Sequence, residues 1–382
     1  MKFKNKKMEL QFEIKDGKKY LRCLIRKRLF LAKPEEQVRQ MFVYQLLNKH
    51  EMPEKMLWVE RRLSEYGIIT NDRADIIVDF EIENRRLPLI IVECKNQNVP
   101  FTYKIREQID DYNSHLKAKI LGMSNGIITQ WFSQNKNSNE FEQIENLPTY
   151  KEILLNQGIK FINYNIFHSL NEKSKEFFDV PNILKPLVVN MSNLLLKQTK
   201  KINLNFGNYE IKDSGIRIEN NGNASGKKDW IGEFRVLNII DLKTKKTTTI
   251  SFRIFPFEIP YLVASYDNGI KNHNSLQLNF RDWISLLGNK IEFWHDGTMT
   301  VGDTGRVENI VIFDKVSELY PELIIREKVF LGQLDISKEL TFEDEDVKQF
   351  FQNFIKYVIC REKISVKIRT ENKIKKQNKI LY

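Results

Sequence analysis

Residues 74–95 read ADIIVDFEIENRRLPLIIVECK. Two runs rich in β-branched residues flank a polar stretch around Glu83-Asn84-Arg85, which predicts a strand, a tight turn and a second strand. The second run is apolar up to Val92, as suits a buried strand. It then ends, with no turn residue between, in Glu93, Cys94 and Lys95. Side chains two apart in a strand point the same way, so Glu93 and Lys95 share a face. A symmetric turn centred on Asn84 sets Asp75 directly opposite Glu93. A slip of two residues keeps these acids neighbours on one face, and a slip of one separates them.

Two carboxylates about 4 Å apart repel by roughly 4 kcal/mol at an effective dielectric of 20. Protonation of one acid, a nearby base or a hard cation between them each relieves this. Two carboxylates, a backbone carbonyl and water form the oxygen set that Mg²⁺ prefers. Lys95 beside such an ion can orient an attacking water and stabilise charge growing on a phosphate. This is equipment for hydrolysing a phosphodiester. The same three residues also suit a charged strand end with a surface ion pair.

Around this hairpin the chain reads helix (LAKPEEQVRQMFVYQLLNK), strand (MLWVERRL), the hairpin, helix (YKIREQIDDYNSHLKA), then strand and turn (ILGMSNGIITQWF). That order predicts a mixed α/β unit of about 150 residues. A preceding strand pair, ELQFEIKDGKKYLRCLI, carries an Asp-Gly turn signal.

Asp75…Glu93-Cys94-Lys95 resembles the PD-(D/E)xK nuclease motif. Residues about 30–132 more specifically resemble the N-terminal nuclease domain of type I restriction enzyme R subunits and stand-alone relatives. KPEEQVRQ, RADIIV, LIIVECK, EQIDDYNSHL and Ser124-Asn125-Gly126 carry the likeness, in order. It implies a restriction-endonuclease-like core, a mixed sheet flanked by helices, that cleaves DNA with Mg²⁺, for which Mn²⁺ can substitute. It implies metal binding by Asp75, Glu93 and the Cys94 carbonyl, with Lys95 assisting the water. A first-helix acid often completes such a site. Glu35 and Glu36 both qualify, and Glu36 is preferred because it lies three before Arg39. Gln108 and Tyr112, four apart on one helix face, match a QxxxY element that touches the DNA backbone. The family's usual Pro before the Asp is Ala74 here.

Residues 134–149 are polar and read as a linker, giving a nuclease domain over 1–150 and a second domain over 151–382. In the second, ILKPLVVNMSNLLLKQ reads as helix. Short alternating runs from about 201 to 335 predict an antiparallel β domain. FEDEDVKQFFQNFIKYVIC closes it as an amphipathic helix, capped by Thr341 and followed by a basic tail.

Charge bears on the partner. The net charge is +11 over 382 residues, with +8 in residues 1–30 and +7 in residues 356–382, leaving about −4 between them. Clustered positive charge suits a polyanion, nucleic acid being the commonest; frayed, solvated termini are the plain alternative. No apolar run is long enough for a membrane helix, and the N-terminus lacks the apolar core of a secretory signal. Cys23, Cys94 and Cys360 are far apart, which predicts neither disulfides nor a thiolate zinc site, and a cytoplasmic location.

Other motifs carry less. At 224–228, ASGKK has its glycines, Gly222 and Gly226, one residue too close for a phosphate loop, and Lys228 replaces the Ser/Thr. No nucleotide site or motor is expected. His295-Asp296-Gly297 reads as a hairpin turn, and the acids at 343–346 as helix-start acids. Trp230, Trp283 and Trp294 suit a core or a base-stacking surface. The expectation is a Mg²⁺-dependent endonuclease acting on DNA, with RNA as a further option, in restriction or defence and with or without a separate protein partner. The alternative is a silent nuclease fold that binds nucleic acid within a larger complex.

Overall fold

The computed structural model describes residues 10–220, 231–267, 274–301 and 305–380. The ASGKK stretch and Trp230 lie outside these. The chain divides into two compact units, residues 1–163 and 164–382.

In the first unit, β1 (Phe12–Lys15) and β2 (Lys18–Arg22) form a hairpin, and β3 (Leu29–Leu31) pairs with β2. Asp16 and Gly17 both take positive φ, 49° and 70°, as a two-residue primed turn demands. Helix α1 (Pro34–Asn48) follows, with Pro34 in its first turn. Next come β4 (Leu57–Arg62), β5 (Arg73–Ile82), β6 (Arg85–Cys94), α2 (Tyr103–Leu116), β7 (Ile120–Ser124), β8 (Thr129–Gln134), β9 (Phe141–Ile144) and the short α3 (Tyr150–Leu154). β4 to β9 form one six-stranded sheet in chain order. All neighbours are antiparallel except β6 and β7, which α2 connects in parallel.

Each face of this sheet buries its own core. Val38, Phe42 and Leu46 of α1 pack with Ile76, Val78, Ile90 and Val92. Ile105, Ile109 and Leu116 of α2 pack with Ile77, Ile91 and Leu121. Full burial of each such side chain contributes about 1.5–3 kcal/mol, so β5 and β6 are held from both sides. The stretch read as a linker is instead partly ordered sheet. Phe141–Ile144 pairs with β8 as an edge strand, because Ile144 is buried in the α1-side core while Glu142 and Gln143 stay half-buried.

The second unit is β-rich, as its alternating runs predicted. After α4 (Lys185–Leu196), strands β10 (Asn203–Phe206), β11 (Tyr209–Asn220), β12 (Ile231–Asp241), β13 (Thr247–Phe255), β14 (Tyr261–Asp267) and β15 (Asn274–Asn279) form an antiparallel meander. A single turn, α5 (Phe280–Trp283), leads to β16 (Ile284–Leu287) and β17 (Lys290–His295). Then follow β18 (Met299–Thr300), β19 (Arg306–Val307), α6 (Asn309–Leu319), β20 (Ile324–Ile325), β21 (Lys328–Asp335) and α7 (Glu345–Ile380). A second sheet has the order β16-β17-β21-β20. Phe350, Phe351 and Phe354 of α7 are fully buried, with rings against Phe252 and Phe293.

Helix α7 does not stop near Cys360 with a tail beyond; it runs on to Ile380. Thr341 precedes the helix by a turn, where its hydroxyl accepts from the Glu343 N–H and its own N–H donates to Asp344. Asp296-Gly297 is not a hairpin turn between paired strands, since β17 pairs with β16 and β21 while β18 pairs with β19. His295 is instead a core residue, its Nδ1 2.8 Å from the Tyr357 hydroxyl and stacked on Trp283. Trp294 is buried as well.

Candidate active site

The meeting of Asp75 and Glu93 depends on a bulge. The β5–β6 turn is not symmetric about Asn84. It is a two-residue turn, Glu83 and Asn84, both at positive φ (48° and 60°). The resulting register, Ile82 with Arg85 through Asp79 with Pro88, would set Asp75 opposite Val92 and turn Glu93 to the other face. Past Pro88 the register shifts by one, to Val78 with Ile90 and Ile76 with Val92. Leu89 is the extra residue. Pro88 has no N–H for the ladder, which is where a bulge costs least. Continuing the shifted register puts Asp75 opposite Glu93. On the other side of β5, Val59 pairs with Ile76 and Arg61 with Ala74. Glu60 therefore falls opposite Asp75, in a left-handed conformation (φ 53°).

Asp75 is held from two directions. Its Oδ2 accepts from the Cys94 N–H at 2.7 Å, and its Oδ1 from Arg39 Nε and Nη2 at 3.1 and 2.6 Å. The buried Arg39 guanidinium also meets Glu60 at 3.0 Å, Glu35 at 3.3 Å, and Glu36. Glu36 accepts further from Arg26 at 3.1 Å and from Gln40 at 2.9 Å. Lys95 donates through Nζ to Glu93 Oε1 at 2.5 Å and to Gln108 Oε1 at 3.4 Å. Gln108 in turn donates to the Tyr112 hydroxyl at 2.8 Å. The Lys95 N–H bonds Ser124 O at 2.8 Å, so the parallel β6–β7 pairing fixes the backbone from which this side chain springs.

The electrostatics follow from that crowding. Burial, then the charge of Asp75, push the Glu93 carboxyl up to about 7, against the pull of Lys95. Burial and Asp75 also raise Glu35. For Lys95, burial works against the charged form, but Glu93, Asp75 and Glu35 outweigh it and hold the ammonium above its usual range. Lys95 is thus a firm cation rather than a proton acceptor. Five carboxylates (Glu35, Glu36, Glu60, Asp75, Glu93) share three enclosed cations (Arg26, Arg39, Lys95). Among the described residues, exposed Arg73 reaches only Glu60, at 3.9 Å. The site carries excess negative charge.

The sequence-derived residues sort accordingly. Asp75, Glu93, Cys94, Lys95, Gln108 and Tyr112 come together. Glu36 is taken up by Arg26, Arg39 and Gln40, whereas Glu35, half exposed, is the first-helix acid whose charge is felt at Glu93 and Lys95. Tyr112 is 9% exposed and supports Gln108. Asn125 of the SNG stretch accepts from the N–H groups of Ile127 and Ile128, closing the β7–β8 turn. Arg39 and Glu60 were not read as site residues. Arg39 was legible from its spacing of three and four from Glu36 and Glu35; Glu60 had no signal. Among the described residues, no three or more His, Cys, Asp or Glu side chains are arranged to hold a metal. A hard cation here would draw on two carboxylates and main-chain oxygen, a donor set that fits Mg²⁺ with retained waters.

Fold and site together define an α/β domain with an acidic, lysine-bearing centre at the end of a central strand. Residues 34–148 match the family model described as the type I restriction enzyme R protein N terminus (HSDR_N). That segment begins with α1, ends after β9, and contains each residue of the centre except Arg26. No curated protein and no solved structure matches the chain.

Proposed function

We propose that the chain is a Mg²⁺-dependent endonuclease of the PD-(D/E)xK kind, with a restriction-endonuclease-like core, that hydrolyses phosphodiester bonds of DNA in restriction or defence. The observation that carries this reading is the bulge-dependent juxtaposition of Asp75 and Glu93, with Lys95 on Glu93, inside the segment similar to the restriction-enzyme domain. Asp75, Glu93 and the Cys94 carbonyl would hold the metal, with Glu35 at its outer side; Glu36 acts through Arg39. Bound there, Mg²⁺ supplies charge that polarises a phosphate oxygen and acidifies a coordinated water.

The chain's own residues do the rest. Arg39 and the Cys94 N–H fix the Asp75 carboxylate so that it does not swing away from the strand end. Lys95 has three N–H donors; Glu93 and Gln108 take two, leaving one to orient the attacking water and to stabilise charge developing on the phosphate. Gln108 holds Lys95 in place, Tyr112 holds Gln108, and the second amide hydrogen of Gln108 can donate to the DNA backbone.

One observation favours a second reading, a silent nuclease fold that binds nucleic acid. Arg39 already neutralises part of the acidic centre. Incubating the purified chain with Mg²⁺ or Mn²⁺ and circular, linear, single-stranded and methylated DNA, and with RNA, separates the two. The nuclease reading expects cleavage that Glu93→Gln and Lys95→Ala abolish while the fold persists. Equal cleavage by wild type and both variants, or none under any condition, ends it.

A further inference from the structure

Helix α7 changes character along its length. Over 36 residues it spans about 54 Å at 1.5 Å per residue. Its first five turns are core, from Val347 to Ile364 and Ser365. Of the cations on this part, Lys348 pairs with Glu345 at 2.6 Å and Lys356 with Glu322 at 2.8 Å, while the buried Arg361 donates to the Thr298 carbonyl and the Tyr357 hydroxyl. From Val366 to Ile374 no side chain is buried. Lys367, Arg369 and Lys373 lie here, with the exposed Lys363 just before them, and among the described residues none of the four forms an ion pair. The sequence continues the helix with Lys375, Lys376 and Lys379, against the single acid Glu371 between 363 and 380.

This is an unfavourable helix by itself. Lys363 and Lys367, and Arg369 and Lys373, are four apart, a spacing at which like charges repel. A helix with neither an apolar face nor balanced charge gains little from propensity alone. The buried part of the helix anchors the stretch to Ile374, so the positive charge of that stretch is displayed on a continuous rod rather than a loose tail. At about 100° per residue, the pairs 363/367 and 369/373 form two rows roughly 120° apart on the cylinder. Two basic rows flanking one helix match phosphates on both sides of a nucleic-acid groove.

We propose that the stretch of α7 from Lys363 to Ile374 is an arm that binds the phosphate backbone of double-stranded DNA without regard to sequence. The choice of DNA among polyanions rests on the proposed nuclease function; the unmatched charge does not. Neutralising n phosphates releases their condensed counterions, so binding weakens with salt with a log–log slope of about −0.9 per contact.

The test uses the full chain in EDTA, where no metal-dependent cleavage can occur, and labelled duplexes of several unrelated sequences. Lys363→Gln/Lys367→Gln/Arg369→Gln/Lys373→Gln is expected to weaken binding at least about tenfold near physiological salt, by the same factor for every sequence. Its salt slope should be shallower by about 3–4, from four lost contacts. Lys243→Gln/Lys245→Gln/Lys246→Gln, on the exposed β12–β13 turn, controls for positive charge lost elsewhere on the surface, three charges against four. Circular dichroism and thermal unfolding verify that both variants fold. Unchanged affinity and slope, an equal loss in the control, or arm-dependent binding to phosphatidylserine vesicles with none to DNA would each overturn the proposal. The two readings fail separately: binding that depends on the arm without cleavage leaves the arm standing, and cleavage with arm-independent binding removes only the arm.

Discussion

Both units bury an arginine against an aspartate, and the two pairs are built for different ends. In the second unit Arg235 and Asp213 neutralise each other one for one. The remaining N–H groups of Arg235 go to the carbonyls of Gln198 and Lys200, and Asp213 also accepts from the N–H groups of Ile202 and Gly215. No charge is left over. In the first unit Arg39 faces Asp75, Glu35, Glu36 and Glu60 at once. A buried charge is therefore no sign of chemistry in itself. An imbalance that the protein leaves uncorrected at a strand end is the more telling feature.

The largest expected effects test that imbalance. Lys95→Ala should lower Mg²⁺-dependent cleavage by about 10²–10³-fold or more, the scale for losing one preorganised donor to a developing charge. Its thermal stability in EDTA should hardly fall, because Glu93 without Lys95 takes up a proton instead of staying charged. If cleavage survives, the centre is as inert as the Arg235 pair. Asp213→Asn should do the reverse. Breaking a closed buried ion pair costs about 3–5 kcal/mol, read by denaturant unfolding of the second unit, with the Mg²⁺ increment in stability of the first unit unchanged. Asp75→Asn should erase that increment, which reaches about 2.7 kcal/mol when the metal stands at a hundred times its Kd.

A pH titration without metal sharpens the contrast. Glu93 is an acid whose folded-state pKa, about 7, lies above its unfolded value near 4.5. The folded state then binds the proton more tightly. Its contribution to stability is present at low pH and is lost as the pH rises from about 4.5 through 7. A displacement of that size corresponds to about 3 kcal/mol as an upper figure. Glu93→Gln should flatten this loss, and Mg²⁺ should reverse it by favouring the ionised carboxylate, so that metal affinity climbs over the same window. A stability profile of wild type indistinguishable from Glu93→Gln would remove the strain argument.

The sequence made the order of elements around the site readable, because β5, β6, α1 and α2 each carry a strong local period or turn signal. It also made Asp75 and Glu93 readable as facing partners, though through a symmetric turn that does not exist. The two-residue turn and the Leu89 bulge offset each other by one, and no local rule places a bulge; only Pro88 hinted at it. Edge strand β9 was hidden because four residues with two apolar positions vanish among polar neighbours. The far half of α7 was hidden because its lysines argue against a stable helix unless the buried half is known to anchor it. Gln108 and Tyr112 were legible as a face of α2, but their direct bond, and so their support of Lys95, depends on rotamers that spacing cannot supply.

Glu60 offers the smallest and finest test. Its positive φ strains a residue with a Cβ, a cost of about 1–3 kcal/mol, and its carboxylate meets Arg39 at 3.0 Å and Arg26 at 3.6 Å. Glu60→Gly relieves the backbone and deletes the ion pairs, so the two changes nearly cancel, leaving a net shift in stability below about 1 kcal/mol. The same substitution removes one of five negative charges while keeping Asp75 and Glu93, and should weaken Mg²⁺ binding a few-fold. Glu60→Gln keeps the strained backbone and removes the same charge, so it should weaken the metal equally and destabilise the fold more than glycine does. Equal metal affinity in wild type and both variants would mean that Glu60 only braces Arg39, leaving the imbalance at this centre one carboxylate smaller than its geometry indicates.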